Sequence, residues 1–182
     1  MSRVGKLVVG VGAGIAAFKT ATLVSQLVQS GHRVRVVMTP AAQHFIGAST
    51  LSALSGAAVA GESFDPARYP LGAHIEVVQD ADLLIVAPAT ADLMAKFAHG
   101  IADNLLSTLW LQAACPALLA PAMSNVMWEK PAVQRNVAQL RADGVHFVGP
   151  DEGWLSCRER GAGRMSEPEA IQAAAEALLS EP

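Results

Sequence analysis

The chain has 182 residues, 52% of them hydrophobic and 16% charged, with a net charge of −3 and two cysteines. That length suits one domain with a sizeable core, and the composition excludes a disordered chain. The acidic balance and the lack of a basic stripe argue against nucleic acid or an anionic membrane as main partner, and Cys115 and Cys157, far apart in sequence, form no metal-type cluster and suit a reduced, cytoplasmic protein.

Residues 1–18, "MSRVGKLVVGVGAGIAAF", place two basic residues before an apolar stretch, as a secretory signal does, but the stretch carries four glycines and runs straight into Lys19. It therefore reads as a strand and a turn rather than a signal. No apolar run reaches the ~18–20 residues needed to cross a bilayer; "LWLQAACPALLAPAM" is broken by Gln112, Pro116 and Pro121. Residues 6–12 read as a buried strand, and 15–30 as a helix with Leu23, Val24, Leu27 and Val28 on one face and Gly31 as its stop. Residues 33–39 alternate like a strand that ends at Pro40, 43–56 read as a helix ending at Gly56, and 57–73 as a long Pro- and Gly-containing loop.

A third strand is expected over 81–90, helical material over 92–113 with a break near Gly100, and a fourth strand over 116–123. A helix follows over 131–142, with Pro131 at its start and Gly144 past its end, then a fifth strand over 145–150. Residues 151–165 read as irregular. The last helix is expected to open at Ser166, with Glu169 three residues on completing a capping box. Strand–helix alternation of this kind predicts a single α/β domain, Rossmann-like or flavodoxin-like, with a mostly parallel sheet and helices on both faces.

In such sheets ligands bind beyond the carboxyl ends of the strands. The first end is "GVGAGIAAFK", where Gly10, Gly12 and Gly14 allow a backbone to approach a phosphate at a helix start. The spacing is not the full dinucleotide fingerprint, it lacks the phosphate-loop Lys-Ser/Thr ending, and no acidic residue closes the second strand, so a mononucleotide phosphate is favoured over NAD; an ordinary tight turn is the alternative. Thr39 at the second end and Thr90 at the third add hydroxyls to the same edge. The fourth end, "LLAPAMSNVMWEK", sets Ser124 and Asn125 between a buried strand and a Met-Trp pair: a surface loop with an apolar anchor, or the lip of a site. His74 competes with His44, His99 and His146 for any acid–base role. Cys157 reads as a small hydrophobe or, with Arg158, Arg160 and Arg164 nearby, as a thiolate site.

Taken together these segments resemble the flavin-containing cysteine decarboxylases, over nearly the whole chain. "GAGIAAFK" is similar to the first flavin loop of that family, "HIEV" at 74–77 to the segment with its active-site histidine, and "PATAD" at 88–92 to its second flavin loop. "GIADNLLST" at 100–108 is similar to a segment near the flavin and the subunit contact. "PAMSNVMW" at 121–128 resembles a Pro-Ala-Met-Asn-x-x-Met-Trp signature, and "GWLSCRERGAGRMSEP" at 153–168 a substrate flap.

The resemblance implies FMN held noncovalently between protomers of a homotrimer, often as a tetramer of trimers. Gly12, Ala13, Gly14, Thr39, Phe45, Pro88, Ala89, Thr90, Ser107 and Met123 would meet the cofactor, and Ala122, Met127, Arg164 and Met165 the substrate. The implied reaction oxidises a cysteine thiol to a thioaldehyde, whose C=S group accepts the electrons left when the β-carboxylate departs as CO₂, giving an enethiol. His74 would be the acid–base or orienting residue, Ser124 and Asn125 would hold the carboxylate, and Cys157 would supply a proton if the enethiol is reduced further.

One departure concerns Ser124, which stands where the family has Asn. A phosphopantothenoylcysteine decarboxylase of coenzyme A synthesis and a peptidyl-cysteine decarboxylase acting on a peptide's C-terminal cysteine are both consistent with these motifs. The retained Cys157 favours the first, and the lack of a recognisable fused synthetase segment the second. A non-enzymatic regulatory flavoprotein is a further alternative; a flavin prenyltransferase is disfavoured by "CRERGAGRM".

Overall fold

A computed structural model describes residues 4–61 and 65–180. Five strands, β1 (Lys6–Val11), β2 (Arg33–Met38), β3 (Leu83–Ala89), β4 (Ala117–Pro121) and β5 (His146–Phe147), pair in the order β2-β1-β3-β4-β5, all in parallel. This is the flavodoxin-like order, whose crevice lies where the connections change direction beside β1 and β3.

Alternation along the strands splits the core in two. Leu7, Val9, Val11, Leu83, Ile85 and Ala87 face α1 (Ala17–Gln29), α2 (Ala48–Ser55) and α8 (Pro168–Ser180). Val8, Leu84, Val86 and Leu119 face α3 (Ala73–Glu76), α4 (Ala91–His99), α5 (Leu105–Gln112) and α7 (Pro131–Ala142). A sheet covered on both faces needs apolar residues at every position, which is why β1 and β3 read as unbroken hydrophobic runs. Gly10 belongs to this packing rather than to the turn beyond it: a Cβ there would stand 2.6 Å from Leu106 Cδ1, so its lack of a side chain lets α5 close on the sheet.

Several expectations need correction. The helix predicted over 43–56 is two pieces. Thr39 accepts from the Ala42 N–H at 3.2 Å and starts a 3₁₀ turn over Pro40–His44, and α2 begins only after Gly47, whose backbone is extended. Within 57–73, expected to be a loop, Ala60 bridges Val37 of β2, and α3 forms at its end; residues 62–64 of that span lie outside the described residues. The fifth strand pairs over two residues only, because the chain turns away at Gly149 and Pro150.

The segment 151–165 is not irregular. It is an antiparallel hairpin of β6 (Asp151–Trp154) and β7 (Arg160–Arg164). A four-residue helix, α6 (Asn125–Trp128), follows β4. The capping box expected at Ser166 does not form. Helix α8 starts at Pro168, whose fixed φ suits a first helical position, while the Ser166 hydroxyl donates to Asp151 Oδ1 at 2.9 Å, closing the base of the hairpin.

Candidate active site

The carboxyl ends of β1, β3 and β4 converge. The Gly12 N–H donates to Pro88 O at 3.2 Å, and a Cβ at Gly12 would sit 2.4 Å from that oxygen and 2.8 Å from Leu93 Cδ1. The ends of β1 and β3 therefore meet backbone to backbone, which only glycine permits. A Cβ at Gly14, by contrast, meets nothing nearer than Pro88 Cγ at 4.0 Å. Three hydroxyls cap the elements that follow the strands: Thr39 as described, Thr90 accepting from Leu93 N at 3.2 Å, and Ser124 accepting from Met127 N at 3.4 Å. Each satisfies one of the N–H groups a helix start leaves over.

The β6–β7 hairpin is seated on the β4–α6 turn through its glycines. The Met123 N–H donates to Gly163 O at 2.9 Å. A Cβ at Gly163 would lie 2.3 Å from Met123 O, and one at Gly161 would lie 2.7 Å from Asn125 Cβ. Asn125 is thus covered by β7, and its Oδ1 is buried with no hydrogen-bond partner among the described residues. Cys157 is exposed in the connection between β6 and β7, beside Arg158 at φ 66°. At the hairpin base the buried Lys19 donates to Met165 O at 2.9 Å and pairs with Glu167 at 3.0 Å, and Glu167 also binds Arg164.

Between the strand ends and the hairpin lies a cavity of about 870 Å³. Ile15, Phe18, Met123, Met127 and Trp154 give it apolar walls. Also in its lining, Lys96 lies 3.1 Å from Asp92 and 2.9 Å from Asp103. The Asp103 carboxylate holds the Lys96 ammonium above its ordinary value, against the opposing effect of burial, and Lys96 in turn holds Asp103 below the usual carboxylate range. Asp103 also accepts from Ser107 Oγ and Asn104 Nδ2, and Asn104 and Ser107 cap α5 reciprocally.

Of the residues expected at a site, Ala13, Gly14, Thr39, Thr90, Ala122, Met123, Ser124, Met127, Cys157, Arg164 and Met165 line this one cavity. Gly12, Pro88 and Ala89 are buried just behind it, and Ser107 is fully buried in the α5 cap. Phe45 stands exposed after the 3₁₀ turn. Asn125 faces the hairpin rather than the cavity. His74 lies on α3, which packs on α5, and does not line the cavity of its own chain. Sequence reasoning missed Ile15, Phe18, Lys19, Trp154 and the Asp92–Lys96–Asp103 group. Only the i,i+4 spacing of Asp92 and Lys96 signalled any of them.

The family model described as Flavoprotein matches residues 1–180. The chain is 48% identical over 174 residues to the coenzyme A biosynthesis bifunctional protein CoaBC of Mycobacterium tuberculosis, an alignment that covers 96% of this chain and 41% of that protein. The chain thus spans about two fifths of the length of the curated relatives it matches. Among solved structures it is similar to the FMN-dependent cysteine decarboxylase SpaF, with TM-score 0.82, 33% identity, and coverage of 98% of this chain and 96% of that one. It is also similar to a Cys-to-Ser mutant of PPC decarboxylase complexed with pantothenoylaminoethenethiol, with TM-score 0.86, 26% identity, and coverage of 98% and 100%.

Proposed function

The chain belongs to the Flavoprotein family, and from that premise we propose that it is an FMN-dependent decarboxylase of a terminal cysteine, phosphopantothenoylcysteine first among substrates. It takes the carboxylate off through a thioaldehyde to an enethiol. The observation that carries this reading is that one cavity collects the Gly14, Thr90 and Ser124 turns together with Cys157. The cavity's volume of about 870 Å³ lies in the range of about 300–1,000 Å³ usual for small-molecule sites. Its apolar walls suit a flat ring system, and the open space at Gly14, beside the start of α1, suits a phosphate.

In this reading Ala13, Gly14, Thr39, Thr90 and Met123 hold FMN, with Gly12, Pro88 and Ala89 shaping the wall behind. Bound FMN supplies a two-electron acceptor for the thiol-bearing carbon of the substrate. Ser124 orients the substrate carboxylate: its oxygen already accepts from Met127 N, which leaves its O–H free to donate. Arg164 draws the carboxylate toward the hairpin, and Ala122, Met127 and Met165 pack against the cysteine side chain. Residues 151–165 are the substrate flap of a single flavoprotein domain, and Cys157 on it would deliver the proton, with the hydride supplied by the reduced cofactor, when an enethiol is converted to a saturated thiol.

His74 serves as acid or base in the cavity of a neighbouring copy, since it is absent from its own. That role needs the homotrimer, alone or as a tetramer of trimers. Cytoplasmic residence fits this chemistry, and among the described residues no helix is long and apolar enough to cross a membrane.

A C-terminal cysteine on a ribosomal peptide is the second reading, supported by the likeness to the peptidyl-cysteine decarboxylase EpiD, whose 26% identity equals that to PPC decarboxylase. Mass spectrometry of the FMN-loaded protein with each substrate decides between them. Loss of about 44 Da marks decarboxylation with the thiol restored, and about 46 Da marks an enethiol product. No mass loss from any cysteine-terminated compound overturns both readings in favour of a regulatory flavoprotein.

A further inference from the structure

We propose that Lys96 is a positioning residue for the cofactor phosphate, acting by neutralising the two carboxylates that its wall of the cavity presents. The inference rests on the reading that the cavity takes FMN.

The cavity's charged lining has two unlike groups. Toward the hairpin, Lys19 and Arg164 share one carboxylate, that of Glu167. Elsewhere in the lining two carboxylates, Asp92 and Asp103, share one cation, Lys96. Asp92 sits two residues past Thr90, in the first turn of α4. Pro88, four residues before Asp92, stands 4.0 Å from the Cβ position of Gly14, so the carboxylate adjoins the turn at which the phosphate is placed and would repel it.

Lys96 resolves that conflict. It is largely covered, with its side chain 19% exposed, and both carboxylates lie within 3.1 Å of its Nζ. It also ties together two elements: Asp92 is on α4, whereas Asp103 precedes α5 beyond the left-handed turn at Gly100. Removing the Lys96 charge leaves the group at −2 instead of −1. Because the charge matters only to a charged ligand, the effect must depend on whether the flavin carries a phosphate.

FMN and riboflavin, which differ in that phosphate alone, therefore provide the test, read by flavin fluorescence quenching without any turnover. In Lys96→Met, FMN affinity is expected to fall about threefold to tenfold more than riboflavin affinity, the scale of one unit charge several ångströms away at surface dielectric. That gap should narrow as salt is raised, and Lys96→Arg should restore FMN binding. Asp92→Asn in an otherwise unchanged chain should tighten FMN and leave riboflavin unmoved, a readout that survives if Lys96→Met folds poorly. Equal losses for both flavins in Lys96→Met, or no effect of Asp92→Asn on FMN, would overturn the proposal while leaving the flavin reading intact. A parent protein that binds neither flavin would overturn the flavin reading itself, and this inference with it.

Discussion

Gly163→Ala tests whether the hairpin is held to the β4–α6 turn by backbone contact. Gly163 sits at φ 142°, and an added Cβ would lie 2.3 Å from Met123 O, a backbone atom that cannot rotate away. Relief requires β7 to move off, which breaks the 2.9 Å bond from Met123 N to Gly163 O. That bond is lost on unseating in parent and variant alike, so it does not enter the difference; what changes is that a side chain forced into this backbone region costs the seated state about 1–3 kcal/mol. The seated hairpin is then disfavoured by about 1–3 kcal/mol, an increase of roughly 5- to 140-fold in the unseated population at 1.4 kcal/mol per decade.

The five-stranded sheet does not depend on β7, so the effect is local. Hydrogen exchange at the Met123 amide should accelerate, and trypsin should cut faster at Arg158 and Arg160, with only a small fall in Tm. Gly56→Ala is the control. Gly56 is at φ 67° with nothing within 4 Å of an added Cβ, so it carries the backbone cost without the collision and leaves Met123 exchange unchanged. Parent-like protection of Met123 in Gly163→Ala would show that the hairpin is not seated through this glycine.

Three further outcomes are expected. Ser124→Ala should lower kcat by about ten- to a hundred-fold, the value of a charge-assisted hydrogen bond to a carboxylate of about 1.5–3 kcal/mol, while Ser124→Asn should shift preference toward phosphopantothenoylcysteine, both read from kcat/KM on paired substrates. Cys157→Ser should change the product mass loss from about 44 to about 46 Da, since reduction of the enethiol lacks its proton donor. Asp103, held low by Lys96, contributes stability that is fully present above its unfolded value near 3.8 and is lost as pH falls through its folded value, so Asp103→Asn should lower Tm slightly at neutral pH and flatten the fall of Tm with pH below about 4.

The strands β1, β3 and β4 were legible because burial on both faces writes them as apolar runs, β2 because exposed Arg33 and Arg35 alternate with buried Val34 and Val36, and α7 because Pro131 and Gly144 punctuate both its ends. The hairpin was not. Its β7 is Arg-Gly-Ala-Gly-Arg, with no apolar alternation to read, and its order comes from backbone contact with a turn some forty residues earlier in the chain. The capping box failed for a related reason: Ser166 had a tertiary partner in Asp151, which overrode the local pattern. The strand-end residues could be grouped in advance because a parallel sheet delivers all its carboxyl ends to one edge. The Lys96 group could not, since its link from α4 to Asp103 depends on how the chain turns at Gly100.

The placement of Ser124 and Asn125 bears on how substrate choice is built. An amide one residue late in the motif invites the idea that Asn125 takes over from Ser124. The geometry opposes it. Asn125 lies beneath Gly161, where the amide nitrogen would be 3.2 Å from an added Cβ, so bringing it into the cavity means lifting β7. The two neighbours therefore divide the work: residue 124 caps α6 and faces the cavity, and residue 125 bears the hairpin that covers it. Under the proposed reading, substrate preference would follow the reach of a serine hydroxyl rather than an amide, and the compound that fits best would bring its carboxylate close to α6 or accept a bridging water.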